Sequence, residues 1–96
     1  MDILVTYDVE TLESDGQKRL RKVATICQNF GQRVQKSVFE CNVSQAQLEE
    51  MEHQLLKVID LEKDSLRIYT LYGQRSKAVR SYGKDHYIDY NDPIIL

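Results

Sequence analysis

Six basic residues with no acidic residue among them are the strongest charge feature of this sequence. No Asp or Glu occurs over residues 16–39, so this segment carries +6, although the 96-residue chain has a formal net charge of −2 and the rest therefore carries −8. Unpaired bases bind phosphates readily, because each contact releases counterions. The segment therefore predicts a phosphate-bearing partner. Its bases are Lys18, Arg19, Arg21, Lys22, Arg33 and Lys36.

Three of these bases share one side of a predicted helix. Lys18, Arg21 and Lys22 recur at helical spacing, with Arg19 flanking them, and lie away from the apolar stripe of that helix. A solvated helix face is the ordinary interpretation of such charges. However, no acid within the helix pairs with them at i,i+4. We call Lys18, Arg21 and Lys22 the basic ridge and predict that it contacts phosphates; the two bases that begin the next strand could extend it.

Asp8 is the candidate for metal chemistry. It ends an apolar strand directly after Tyr7, and further acids follow in the loop at Glu10, Glu13 and Asp15. Carboxylate oxygens suit Mg²⁺ or Mn²⁺, and such ions assist phosphodiester hydrolysis where several carboxylates converge. A strand-end residue that caps a turn is the alternative. Because one chain places only Asp8 on a firm element, a second carboxylate would have to come from a twofold dimer.

Other chemistries find no comparable support. The P-loop pattern, GxxxxGK followed by Ser or Thr, is absent, and so is GxGxxG, which argues against nucleotide triphosphate and dinucleotide sites. Cys27 and Cys41 have no zinc-type spacing and fall on apolar phases, so we expect buried thiols. His53 and His86 have no nucleophile at a suggestive spacing, and we expect both at the surface.

The size of the chain favours association with another subunit. Its 96 residues suit one domain, and a domain this small buries only about 60 to 65% of its unfolded surface. The apolar runs are too short for a transmembrane helix or a signal-peptide core. We therefore expect a cytoplasmic oligomer that does not bind a membrane.

The predicted elements follow the order strand, helix, strand, strand, helix, strand. Ser44 and Gln47 form a capping-box pattern before the second helix, and a change of alternation phase over 36–38 indicates a tight hairpin or a bulge. This order predicts an α+β, ferredoxin-like βαββαβ sandwich as a single domain over 1–96. The segments are strand 2–9, loop 10–16, helix 17–30, hairpin 32–43, a helix after Ser44, strand 65–72 and, in 74–96, a short extra strand and tail.

Several short motifs in this order resemble the Cas-two family of CRISPR adaptation proteins. The resemblance runs from residue 3 to about residue 72. Each motif is modest alone, and their shared order makes the similarity specific. The motifs are Val5-Thr6-Tyr7-Asp8, Lys18-Arg19-Leu20-Arg21-Lys22, Gly31-Gln32-Arg33-Val34-Gln35, Ser37-Val38-Phe39-Glu40 and Asp64-Ser65-Leu66-Arg67-Ile68-Tyr69.

The resemblance implies a ferredoxin-like homodimer in which residues 74–96 pack on the partner subunit. It also implies an endonuclease that depends on Mg²⁺ or Mn²⁺ and acts on RNA or double-stranded DNA. A further implied role is a scaffold that bridges two dimers of the Cas-one integrase during acquisition of spacer DNA. Toxin-type endoribonucleases share this fold and the strand-end aspartate, so a stand-alone RNA-cleaving toxin is the alternative.

Carried over residue by residue, the resemblance makes Asp8 the metal-binding and catalytic residue. It places nucleic-acid contacts at Tyr7, Arg19, Arg21, Arg33 and Phe39. The charge pattern alone adds Lys18, Lys22 and Lys36 to this set.

Overall fold

A four-stranded antiparallel sheet with two long helices against one face organises the protein, as seen in a computed structural model that describes residues 1–73 and 75–83. The predicted α+β, ferredoxin-like architecture is confirmed. The elements are β1 (Asp2–Asp8), α1 (Ser14–Phe30), β2 (Gly31–Gln35), β3 (Val38–Asn42), α2 (Gln45–Val58), β4 (Ser65–Leu71) and a single helical turn, α3 (Arg75–Ala78).

The strand order β2-β3-β1-β4 puts β1 at the centre of the sheet. Val5 of β1 pairs with Phe39 of β3 and with Ile68 of β4. Because side chains alternate along a strand, the buried residues Ile3, Val5 and Tyr7 face the helices. The intervening positions, including Asp8, belong to the opposite face, which we call the open face.

The core lies between the sheet and the two helices. Burying its apolar side chains is the main driving force for this layered arrangement. From β1 the core contains Ile3 and Val5, which are fully buried, and Tyr7. From the rest of the described chain it contains Val9, Val23, Cys27, Phe39, Cys41, Val43, Leu48, Met51 and Leu55.

The first helix begins three residues earlier than its apolar periodicity predicts. Ser14, Asp15 and Gly16 form its first turn, although the sequence pattern suggests a loop there. A Cβ atom at position 16 would lie 1.8 Å from the carbonyl oxygen of Glu10. Gly16 therefore allows the helix to pack closely against the preceding loop, and it does not interrupt the helix.

The hairpin contains both features that the change of phase suggested. Lys36 and Ser37 form the turn between β2 and β3, and the register shifts between Arg33 and Gln35. The capping box is confirmed: the Gln47 backbone N–H donates to the Ser44 hydroxyl oxygen, and the Ser44 N–H donates to the Gln47 side chain.

The C-terminal segment differs from its prediction where it is described. Residues 75–78 form a helical turn, and 79–83 contain no strand. The segment lies near the open face, where a cavity of about 520 Å³ is lined by Leu4, Val38, Val79 and Tyr82, among others. The short strand and the packing on a partner were predicted for 74–96, of which 74 and 84–96 lie outside the described residues, as does His86, so both stay predictions. No helix in the described part of the chain is long and apolar enough to cross a membrane.

Candidate metal and nucleic-acid site

Asp8 lies at the end of the central strand, exposed on the open face. Ser65, the first residue of β4, pairs with it on one side. On the other side, the Tyr7 backbone N–H donates to the Ser37 carbonyl oxygen at 3.1 Å. The strand end therefore holds Asp8 between the start of β4 and the β2–β3 turn that contains Lys36.

Among the described residues, Asp8 belongs to no group of metal ligands. No group of three or more His, Cys, Asp or Glu residues suited to a metal occurs among residues 1–73 and 75–83. The exposed carboxylate of Asp8 makes no hydrogen bond or ion pair within that part of the chain. Its oxygens are suitable donors for Mg²⁺ or Mn²⁺, and a set of three protein ligands would require residues beyond those described.

Tyr7 and Phe39, which the resemblance places in contact with nucleic acid, are core residues in the structure. Tyr7 is 5% exposed and Phe39 0%, and their rings stack with centroids 6.2 Å apart. The Tyr7 hydroxyl donates to the Lys36 carbonyl oxygen at 3.4 Å, and burial raises the pKa of this phenol above its ordinary value. Neither buried ring presents a surface on which a base could stack, and a nucleic-acid contact at Tyr7 or Phe39 stays a prediction.

Arg33 is the exposed member of this cluster. Its guanidinium carbon lies 5.2 Å from the centroid of the Phe39 ring, within the range of a cation–π interaction. The two buried rings therefore support a surface cation beside the turn that contains Lys36.

The basic ridge is assembled as predicted. Lys18, Arg21 and Lys22 are exposed on α1 and line one groove of about 430 Å³. Ile26 of α1 and Val58 at the end of α2 also line it. The ridge therefore lies on the helical layer, whereas Asp8 belongs to the open face of the sheet.

Arg19 is engaged elsewhere. Its Nε donates to Asp64 Oδ2 at 2.8 Å and its Nη2 to Asp64 Oδ1 at 3.1 Å. Asp64 precedes β4 and lies 45 residues from Arg19 in the chain. It was not predicted as a partner of Arg19, because only acids within the helix were considered. The feature of the sequence that could have pointed to Asp64 was its position at the start of the Asp64–Tyr69 motif.

Arg67 is a second residue that sequence reasoning missed. It is exposed and pairs with Thr6 across β1 and β4, one step from the Asp8–Ser65 pair on the open face. Its Nη1 donates to the Tyr69 hydroxyl oxygen at 3.0 Å. Given that Ser65 pairs with Asp8, the alternation of side chains along β4 would have placed Arg67 on the same face.

The two cysteines are buried thiols, as predicted. Burial raises the pKa of Cys27 to about 12 and that of Cys41 to about 11. Because the thiolate is the reactive form, neither cysteine is a nucleophile in the folded chain. His53 is exposed on α2, also as predicted.

Comparison with known proteins supports one family. The sequence model of CRISPR associated protein Cas2, the Cas-two family of the resemblance, matches residues 1–79. A CRISPR-associated endoribonuclease Cas2 of Moorella thermoacetica is 54% identical, and a CRISPR-associated endonuclease Cas2 of Halalkalibacterium halodurans is 53% identical, each over 100% of both chains. The crystal structure of Streptococcus pyogenes Cas2 at pH 6.5 superimposes with a TM-score of 0.79 at 47% identity, covering 86% of this chain and 100% of that one. The chain therefore belongs to the Cas2 family of CRISPR-associated nucleases.

Proposed function

We propose that this protein is a CRISPR adaptation protein that works as a homodimer. In this role it binds nucleic acid and bridges dimers of the Cas-one integrase while spacer DNA is acquired. It also acts as an endonuclease that depends on Mg²⁺ or Mn²⁺ and cleaves RNA or double-stranded DNA. The observation that carries the proposal is the basic ridge, three exposed bases around one groove in a chain of negative net charge.

The ridge suits the phosphate backbone of a duplex. Its three cations have no ion-pair partner among the described residues, so binding a phosphate does not require an internal pair to break. Phosphate contacts of this kind set affinity and register without reading sequence. A scaffold that holds spacers of many sequences requires that property.

The nuclease activity is assigned to Asp8. We propose that the Asp8 carboxylates of two chains face each other and hold one divalent ion between them. When bound, the ion supplies a nucleophilic water and charge neutralisation at the scissile phosphate. The chain's own contribution is to hold each carboxylate at the fixed end of a central strand, where exposure leaves it open to the ion and to substrate.

One experiment tests binding and cleavage together. Asp8→Asn and the double variant Arg21→Gln/Lys22→Gln are each assayed for duplex binding over a series of salt concentrations and for cleavage of duplex DNA and RNA. Lys63→Gln/Lys77→Gln is the matched control, because it removes two exposed positive charges outside the ridge.

The two variants should have opposite defects. We expect the ridge variant to lower the slope of log K against log salt by about 2, and the control to keep the wild-type slope. Asp8→Asn should lose cleavage and keep binding. Equal slopes for ridge variant and control would reject the scaffold, and wild-type cleavage by Asp8→Asn would reject the nuclease site.

Substrate preference is decided in the same assay. The Moorella relative is named an endoribonuclease and the Halalkalibacterium relative an endonuclease, so both nucleic acids are compared. Cleavage of RNA alone, together with no complex between the protein and the integrase, would favour the toxin-type endoribonuclease instead.

A further inference from the structure

The carboxylate of Asp64 is the centre of a hydrogen-bond cluster that joins three parts of the chain. Its side chain is 0% exposed and that of Arg19 is 17% exposed. Besides the two bonds from Arg19, it accepts from the Glu10 N–H at 3.1 Å and from the Asp60 N–H at 2.8 Å. Arg19 Nη2 also donates to the Glu10 carbonyl oxygen at 3.5 Å. We call the bonded pair of Arg19 and Asp64 the clamp.

The clamp acts on both strand ends that hold Asp8. Glu10, which the clamp bonds through its N–H and its carbonyl oxygen, lies two residues after Asp8. Asp64 immediately precedes Ser65, the β4 residue that pairs with Asp8. The clamp therefore fixes where β1 ends and where β4 begins, from inside the protein and without touching Asp8 itself.

A phosphate contact by Arg19 would be costly. If the contact drew Arg19 away from Asp64, it would break two charge-assisted bonds, which are about twice as strong as neutral ones, and would leave a buried carboxylate without its counter-charge. Lys18, Arg21 and Lys22 are exposed and bear no such cost.

We infer that Arg19 and Asp64 are positioning residues for the Asp8 site and that Arg19 does not bind nucleic acid. The inference rests on the proposed function, because it takes Asp8 as the metal ligand. Residues that hydrogen-bond directly to a metal ligand change metal affinity or activity by about 10- to 100-fold when mutated. The clamp acts on Asp8 through the backbone, so we expect an effect at the lower end of that range.

Asp64→Asn is the variant that tests the clamp. Its amide offers one acceptor oxygen where the carboxylate offers two, so either orientation of the amide loses part of the set of N–H donors. Met51→Ala is the control, because it destabilises the folded chain by opening a cavity in the core on α2, a helix that contributes no group to these hydrogen bonds. The readouts are Mn²⁺ binding by electron paramagnetic resonance and hydrogen exchange of the Glu10 amide, both at a temperature where all variants are folded.

We expect Asp64→Asn to raise the Kd for Mn²⁺ about 10-fold or more and to speed exchange at Glu10. Met51→Ala should leave both at wild-type values. In duplex binding, Arg19→Gln should keep the wild-type salt dependence, whereas Arg21→Gln should lower the slope by about 1.

The failures are distinguishable. Wild-type protein that binds no Mn²⁺ would reject the proposed metal site. Unchanged exchange at Glu10 in Asp64→Asn would reject the clamp as a positioning device, whether or not metal binds. A salt dependence lowered as much by Arg19→Gln as by Arg21→Gln would show that Arg19 contacts phosphates and would also overturn the inference.

Discussion

At the scale of single residues, the buried ring of Phe39 connects the core to a surface cation. It stacks on Tyr7 on the side of the sheet covered by the helices and lies under the guanidinium of Arg33. One side chain thus contributes to stability and to the electrostatics of the surface beside Lys36. The two contributions can be separated by mutation.

We predict that Phe39→Ala lowers the free energy of unfolding by about 3 to 5 kcal/mol, the usual cost of removing a fully buried aromatic ring. Phe39→Leu should cost less, because it refills most of the volume. Urea unfolding followed by circular dichroism measures both. A loss below about 1 kcal/mol for Phe39→Ala, typical of a surface substitution, would contradict the burial of this ring.

The clamp predicts a pH dependence of stability. Hydrogen bonds from Arg19 hold the pKa of Asp64 below its ordinary value of 3.8. A carboxyl whose pKa is lowered on folding stabilises the protein above its unfolded pKa, and this contribution is lost as the pH falls through the folded value. Wild type should therefore exceed Asp64→Asn in unfolding free energy at neutral pH, with a difference that narrows below about pH 4. Urea titrations at a series of pH values measure it, and a constant difference down to about pH 2 would contradict the shift.

Individual residues were predictable where local pattern decides their environment. The buried cysteines, the exposed His53 and the strand-end position of Asp8 all follow from periodicity. Tyr7 lies in phase with Ile3 and Val5, so its burial could also have been predicted. Its position next to Asp8 suggested a functional role instead. The pairing of Arg19 with Asp64 could not be predicted from the sequence, because only folding brings the two residues together.

At the scale of elements, the second helix has the best-defined start in the chain. Ser44 and Gln47 satisfy each other's backbone N–H groups, which would otherwise lack partners at a helix N-terminus. The prediction from four residues of sequence succeeded because a capping box is a local interaction. The start of α1 was missed because Gly16 is required there by contact with the Glu10 backbone, which is not a periodic signal.

We predict that Ser44→Ala destabilises the protein by about 1 kcal/mol through loss of the cap. Gln47→Ala should have a smaller effect, because it leaves the hydroxyl bond to the backbone intact. Thermal or urea unfolding of the two variants gives the comparison. A Ser44→Ala variant as stable as wild type would show that the box contributes nothing measurable.

At the scale of the whole molecule, the charge separation of the sequence becomes a separation of surfaces. The basic ridge lies on the helical layer, and Asp8 lies on the open face of the sheet. In the proposed function, the ridge and Asp8 therefore contact nucleic acid from different layers of the same chain. This arrangement explains why binding and cleavage should fail independently when the two surfaces are mutated.

The number of chains bears on the Asp8 site. Among the described residues, one chain brings no group of metal ligands to Asp8. We therefore treat the single chain as half of the proposed nuclease, whose metal is held between two copies.

Calorimetric titration of the purified protein with Mn²⁺ tests whether the Asp8 carboxylates of two chains share one ion. We predict one ion bound per two chains in wild type, and no binding at that site in Asp8→Asn of the same oligomeric state. One ion per chain, or a wild-type isotherm from Asp8→Asn, would contradict it.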